Sequence, residues 1–215
     1  MTYLEIVNNV LRRLREEEVS GVQTTTYGKM VGDFVNDAKK LIESSWDWSG
    51  LRVTTTIPTV AGTSVYVIVN SKDKYKDLTF VNDTSNFFLE YRPSVWFEEQ
   101  YNINTPAEGT PRYYTYAGFD SNGDTQIKLY PEPDAVYSIR ATGVIRDSDL
   151  VLDTDELDIP HMPVIHLALA LLARERGETG GTSTAEYFAI ADKYLTDAIA
   201  IDAARHPEET IWYTP

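Results

Sequence analysis

Six acidic residues, Asp147, Asp149, Asp153, Asp155, Glu156 and Asp158, lie between Arg146 and His161 with no basic residue among them. Paired carboxylates can hold Ca²⁺ or serve as acid and base. A calcium loop, however, places its ligands at alternate positions around a central glycine and closes on a glutamate, and this run has neither feature. A solvated stretch leading into a helix N-terminus accounts for the same charge, because acids there favour the helix dipole. The segment Asp120-Ser121-Asn122-Gly123-Asp124 looks like half a calcium loop without its closing glutamate, and it reads as a hairpin turn. His161 and His166 stand about 140° apart on a helix, against the roughly 40° of an i,i+4 zinc pair. His166 therefore reads as a core or interface residue. The chain has no H-E-x-x-H, nucleophile elbow, phosphate loop or dinucleotide fingerprint. With no cysteine it also lacks thiolate sites and disulfides. No catalytic residue, metal or cofactor is expected. A cell-wall or carbohydrate-active hydrolase needs only two carboxylates, so that class stays open.

The elements that would position these residues follow from periodicity. Thr2 and Glu5 form a capping-box pattern ahead of a helix over 2–17, with Leu4, Val7, Val10, Leu11 and Leu14 on one face. A second helix is predicted over 26–45, with a stripe of Tyr27, Val31, Phe34, Val35, Ala38, Leu41 and Ile42. Its Gly28 and Gly32 mark close contact between helices. From Trp46 the pattern changes to short β-branched runs at 51–57, 65–69, 78–81, 87–91, 113–117, 127–130 and 136–145, with a short helix at 94–100. Helices return at Pro160 and Pro163 and end at about Arg176, before Gly177. After a Gly/Thr-rich connection over 177–184, a last helix spans 184–205. Its start carries a Ser183/Glu186 capping box, and its core face is Phe188, Ala191, Leu195, Ala198 and Ile201. Pro207 ends it.

The reading is an α+β chain. Two N-terminal and two C-terminal helices make a discontinuous four-helix bundle over 1–45 and 151–206. An antiparallel β sandwich or barrel over 46–150 is inserted in it, and a tail over 207–215 extends from it. Ile211, Trp212 and Tyr213 stand on that polar tail and read as docking residues, either onto the protein's own core or into a partner, since Trp and Tyr are typical interface anchors.

The 215 residues carry a formal net charge of −14. Such a surface repels a phosphate backbone, which argues against tight DNA binding. It serves solubility, or a wall past which DNA slides without sticking. The most apolar stretch, 164–173, is too short to span a bilayer, which takes about 20 residues. No leader pattern follows Met1. A membrane role is not expected.

Three clusters carry a resemblance. The first is Trp46-Asp47-Trp48 with Thr54-Thr55-Thr56 and the stretch from Gly62 to Val67. The second is Glu108-Gly109-Thr110-Pro111-Arg112-Tyr113. The third is Ile127-Lys128-Leu129-Tyr130-Pro131-Glu132-Pro133-Asp134 with Tyr137-Ser138-Ile139-Arg140, then an acidic loop and a Pro-initiated helix. In order and spacing, over residues 1–206, the chain resembles the phage head-to-tail adaptor family that includes the tail accessory factors and tail tubular A proteins of short-tailed phages. The resemblance implies a non-enzymatic virion protein of the neck, assembled in the host cytoplasm. It implies a closed ring of about twelve copies under the portal, joined at its other end to tail-tube or nozzle proteins. On it, Ile211, Trp212 and Tyr213 are portal anchors. Asp147, Asp149, Asp153, Asp155, Glu156 and Asp158 line a channel through which DNA passes transiently. Another neck or baseplate component is the neighbouring alternative.

Overall fold

The structure is a computed structural model that describes residues 1–72, 75–176 and 182–205, with the backbone alone at 77, 78 and 182–184. The expected helix stop at Gly177, the stop at Pro207 and the tail over 207–215 lie outside the described residues. The chain divides into two compact units, one made of Met1–Gly50 and the residues from Asp147 onward, the other of Leu51–Arg146.

The first unit is helical. Helix α1 (Tyr3–Arg13) starts with a reciprocal cap, in which the Thr2 amide donates to Glu5 Oε2 at 2.9 Å and the Glu5 amide to Thr2 Oγ1 at 3.3 Å. It buries Tyr3, Ile6, Val7, Val10 and Leu11, whereas Leu4 and Leu14 are half-buried. It ends four residues before the expected position 17. Arg15 turns to φ 59°, and the Glu16 amide closes back on the Leu11 carbonyl at 3.0 Å. Continuing through Glu16-Glu17-Glu18 would have placed three acids at the negative end of the dipole.

Helix α2 (Thr26–Ser45) is capped by Thr25, whose hydroxyl accepts from the Gly28 amide at 2.9 Å. Gly32 faces Tyr3, and a Cβ there would collide with the Tyr3 hydroxyl, so this glycine lets α1 and α2 approach. The stripe departs from expectation at one turn. Leu41 is 55% exposed, while Lys39 and Glu43 are fully buried.

Helix α4 (His161–Glu175) is apolar almost all round because it packs against α1, α2 and α5. Pro163 sits in its first turn, where the missing N–H costs nothing. Helix α5 (Thr182–Ala203) lies on α4. It begins at Thr182, so Ser183 is inside the helix rather than at its cap. Of the expected core face, Ala191 is buried and Phe188, Leu195 and Ala198 are half-buried. Ile201 is instead 62% exposed, and its neighbour Asp202 is the buried residue, because donors from 46–49 converge on that carboxylate. Among the described residues, no helix is long and apolar enough to cross a membrane.

The second unit holds two four-stranded sheets. One has the order β1 (Arg52–Pro58), β8 (Ser138–Ile145), β3 (Tyr75–Asn82), β4 (Phe87–Phe88), antiparallel throughout. The other has the order β2 (Val65–Val67), β7 (Thr125–Tyr130), β6 (Tyr113–Phe119), β5 (Glu90–Tyr91). One core joins them, drawing Ile57, Phe80 and Ile139 from the first sheet and Tyr66, Tyr114 and Ile127 from the second. Strand β7 alternates strictly between buried and half-buried positions, which is the period-2 pattern of its sequence.

One pairing departs from the antiparallel expectation, for β5 runs parallel to β6. The chain switches sheets at Leu89, which is 6% exposed. Its amide still bonds Phe80 in the first sheet, while the Glu90 amide bonds Arg112 beside the second. A strand arriving by such a crossing has its direction set by the sheet it left. Helix α3 (Ser94–Glu98) continues as a π-helical turn over Glu99–Ile103 and rests on β6. Trp96 meets the rings of Tyr113 and Tyr130 edge-on, each at 5.2 Å. The Asp120–Asp124 segment is the β6–β7 turn. Asp120 Oδ1 accepts from the Asn122 and Asp124 amides, both at 2.8 Å, and Gly123 takes φ 89°.

Candidate functional site

The acidic segment forms a strap across the helical unit, and its carboxylates are mostly used locally. It is anchored first by Lys39. The ammonium donates to the carbonyls of Asp147 at 3.1 Å and Ser148 at 2.7 Å. It also pairs with Glu43 at 2.9 Å and lies 3.7 Å from Asp147 Oδ2. Asn36 then holds Leu150 like a strand partner, donating to its carbonyl at 3.0 Å and accepting from its amide at 2.9 Å. Asp149 pairs with Lys40 at 2.8 Å, with both side chains partly exposed. Asp153 accepts from the Val22 amide at 3.0 Å.

Asp155 Oδ2 accepts from the Val151 and Leu152 amides, both at 2.7 Å, and these bonds hold its carboxyl below the usual range. Further on, the strap covers the start of α1. The Tyr3 amide donates to the Asp155 carbonyl at 2.8 Å, and Thr2 bridges Glu156. These bonds satisfy amides that a helix N-terminus leaves open. Burial, then the charges of Asp33, Asp149 and Asp153, push the Tyr3 hydroxyl up to about 12.

Of the six predicted acids, Asp147, Asp149, Asp153 and Asp155 thus spend their carboxylates inside this unit, and Glu156 and Asp158 face solvent. Each of those four carboxylates bonds a backbone amide or a lysine, an arrangement that fixes a loop rather than one that shares a proton. Among the described residues, no three His, Cys, Asp or Glu converge as metal ligands. His166 stacks on Tyr194 at 4.5 Å; burial and then the Arg13 charge lower its affinity for a proton. Ile211, Trp212 and Tyr213 lie outside the described residues.

What the surface offers is apolar contact. The turn fixed by Asp155 presents Val151 and Leu152, which are 61% and 63% exposed. Helix α5 exposes Ile190 and Ile201, and the second unit exposes Val95, Ile103 and Phe119. Large exposed side chains on an otherwise acidic chain suit protein association.

Two groups escaped the sequence reading. Lys39 and Glu43 have an i,i+4 spacing that falls beside Val35, Ala38 and Ile42 on the helix, a signal that a helical wheel contains. Asp202 had no such signal, since its partners Trp46 and Ser49 lie far away in the chain.

The Asp202 carboxyl is pushed up by burial. Bonds from the Ser49 hydroxyl and amide, then from Trp46, together with the Arg205 charge, outweigh this and hold it below the usual range. Asp155 and Asp202 therefore contribute stability that is fully present above the unfolded carboxyl value of about 3.9 and is lost as pH falls through their lower folded values. Thermal unfolding followed from neutral pH downward should show a midpoint that drops in this window. The drop should be shallower in Asp155→Asn and Asp202→Asn, and equal slopes in all three proteins would contradict the assignment.

A search of curated proteins returns no match. A family comparison does: residues 1–211 match the SU10 adaptor protein family. A strap whose acids are structural, a surface with apolar side chains on both units and a match over nearly the whole chain agree, and this chain belongs to that family of phage head-to-tail adaptors.

Proposed function

We propose that this protein is the ring-forming adaptor beneath the portal, a structural part of the virion that joins the portal to tail or nozzle proteins. The family match over residues 1–211 carries the reading. The finer likeness, to the tail tubular A proteins of short-tailed phages, rests on the three sequence clusters. In the proposed arrangement the helices form a four-helix bundle, and the two sheets form a sandwich inserted in it. About twelve copies close head to tail, which requires two different complementary faces on each subunit. The exposed side chains of α5 and of the β unit supply candidates for such faces.

The six strap acids face the DNA channel. Glu156 and Asp158 contribute most to its field, because Asp147 and Asp149 are already opposed by Lys39 and Lys40. A net charge of −14 repeated around a ring repels DNA and keeps it from sticking to the wall. Ile211, Trp212 and Tyr213 anchor the C-terminal segment in the portal.

The test is light-scattering mass on the purified protein, alone and mixed with its portal. The expected result is a multi-subunit ring on the portal; a protein that ignores the portal would end the reading. Deleting 207–215 is expected to abolish portal attachment while the unfolding transition stays in place. Normal docking of the shortened chain would remove the anchor from the proposal.

A further inference from the structure

Helix α5 lies on α4 with Ala191 buried, Tyr194 stacked on His166, and Arg174 over the Phe188 ring at 5.9 Å. Beyond Ala191 it half-buries Leu195, Ala198 and Ile199 and fully buries one residue, Asp202. That carboxylate grips the connector leading out of the helical unit. Oδ2 accepts from the Ser49 amide at 3.0 Å and from Trp46 Nε1 at 3.1 Å, and Oδ1 accepts from the Ser49 hydroxyl. Arg205, itself 65% exposed, reaches the same carboxylate at 3.7 Å. The next residue, Gly50, lies so close to the Asp158 carbonyl that no Cβ would fit. The returning chain is held by a different helix, since Lys39 and Asn36, which bind Asp147, Ser148 and Leu150, both belong to α2. The outward crossing is held by α5 through Asp202 and by α2 through Trp48, whose Nε1 donates to the Ile42 carbonyl at 2.8 Å, whereas the return is held by α2.

We propose that Asp202 is a latch, a positioning residue that couples the end of α5 to the connector carrying the chain into the β unit. A polar hold suits this use. Its hydrogen bonds exchange for water when α5 shifts, without exposing apolar surface, whereas a packed apolar side chain would resist. A partner gripping the chain beyond α5 would thus be felt at residues 46–50. That use rests on the portal-docking reading. The latch itself rests only on contacts within this chain.

The experiment is amide hydrogen exchange by mass spectrometry on the full chain without portal. In Asp202→Ala, exchange over 46–52 should rise about tenfold or more, while 147–150 and α2 stay protected. Coupling is reciprocal, so Ser49→Ala should loosen residues 199–203, and Ala203→Gly, which frays the last turn, should loosen 46–52. Ser49→Ala also keeps the test open should Asp202→Ala fail to fold. Unchanged connector exchange in Asp202→Ala, or a rise shared equally by α1 and α2, would overturn the proposal. So would a silent connector in Ala203→Gly. None of these outcomes depends on whether the protein binds a portal.

Discussion

Replacing Lys39 by methionine is expected to lower the unfolding free energy by about 3–5 kcal/mol. The ammonium is fully buried and holds together Glu43 on its own helix and two carbonyls of the returning chain. Methionine fills a similar volume but removes the Lys39 cation from beside the buried Glu43 carboxylate, and losing one member of a buried pair is costly. It also frees the strap at Asp147 and Ser148, so the loss should be accompanied by faster proteolysis within 147–158. The double variant Lys39→Met with Glu43→Leu removes both charges and should recover much of the stability. Recovery should fall short by about 1–3 kcal/mol, because the two carbonyls remain without their donor. Urea unfolding gives all three values from one set of curves. A single variant within 1 kcal/mol of the parent would mean that the pair adds nothing beyond its burial cost.

Trp48→Ala should cost about 3–5 kcal/mol, the usual range for deleting a buried aromatic. Trp48 is 1% exposed and, among the described residues, is the largest fully buried side chain of the helical unit. It follows α2 directly, and its Nε1 donates to the Ile42 carbonyl at 2.8 Å, satisfying one of the carbonyls that the helix end leaves open. Trp48→Phe separates the two contributions. It keeps most of the volume and loses the hydrogen bond, for an expected cost of about 1 kcal/mol from the bond plus a smaller cavity term. Equal losses for the two substitutions would place the effect in the hydrogen bond rather than in the ring.

The places where sequence and structure part company share a physical cause. Thr2 and Glu5 located the start of α1 because a cap is local chemistry. The end of that helix was harder to read, since no glycine marks it and Arg15 adopts the left-handed conformation unaided. Strand β7 was legible because each residue's environment follows from its parity. The parallel pairing of β5 was not, because a two-residue strand carries no direction signal and takes its course from the sheet switch at Leu89. In the candidate site, the acids were legible as a group but their uses were not. Asp155 caps a turn four residues back, whereas Asp153 serves an amide more than a hundred residues away. Leu41 and Ile201 were assigned to the core by hydropathy and lie outside it, while Lys39 is drawn in by Glu43 on its own helix and by carbonyls of the returning chain, and Asp202 by partners that only the tertiary fold supplies. Periodicity reports where apolar side chains repeat, and it has no means of reporting a buried charge whose counterpart is distant.

The pairing of β1 with β8 has a consequence for how such a chain is made and varied. Arg52 lies opposite Val144, so the β unit begins and ends at neighbouring positions on one ladder, about 5 Å apart. To the helical unit, a folded β unit is equivalent in loop-closure entropy to a short turn between α2 and the strap, however many residues it contains. Once the sheets have formed, the helices therefore close on one another at the entropic cost of a short loop. Insertions, deletions or wholesale exchange within 51–146 leave their folding problem unchanged. Evolution is then free to rewrite the inserted unit to suit a new neighbour while keeping the same helical frame.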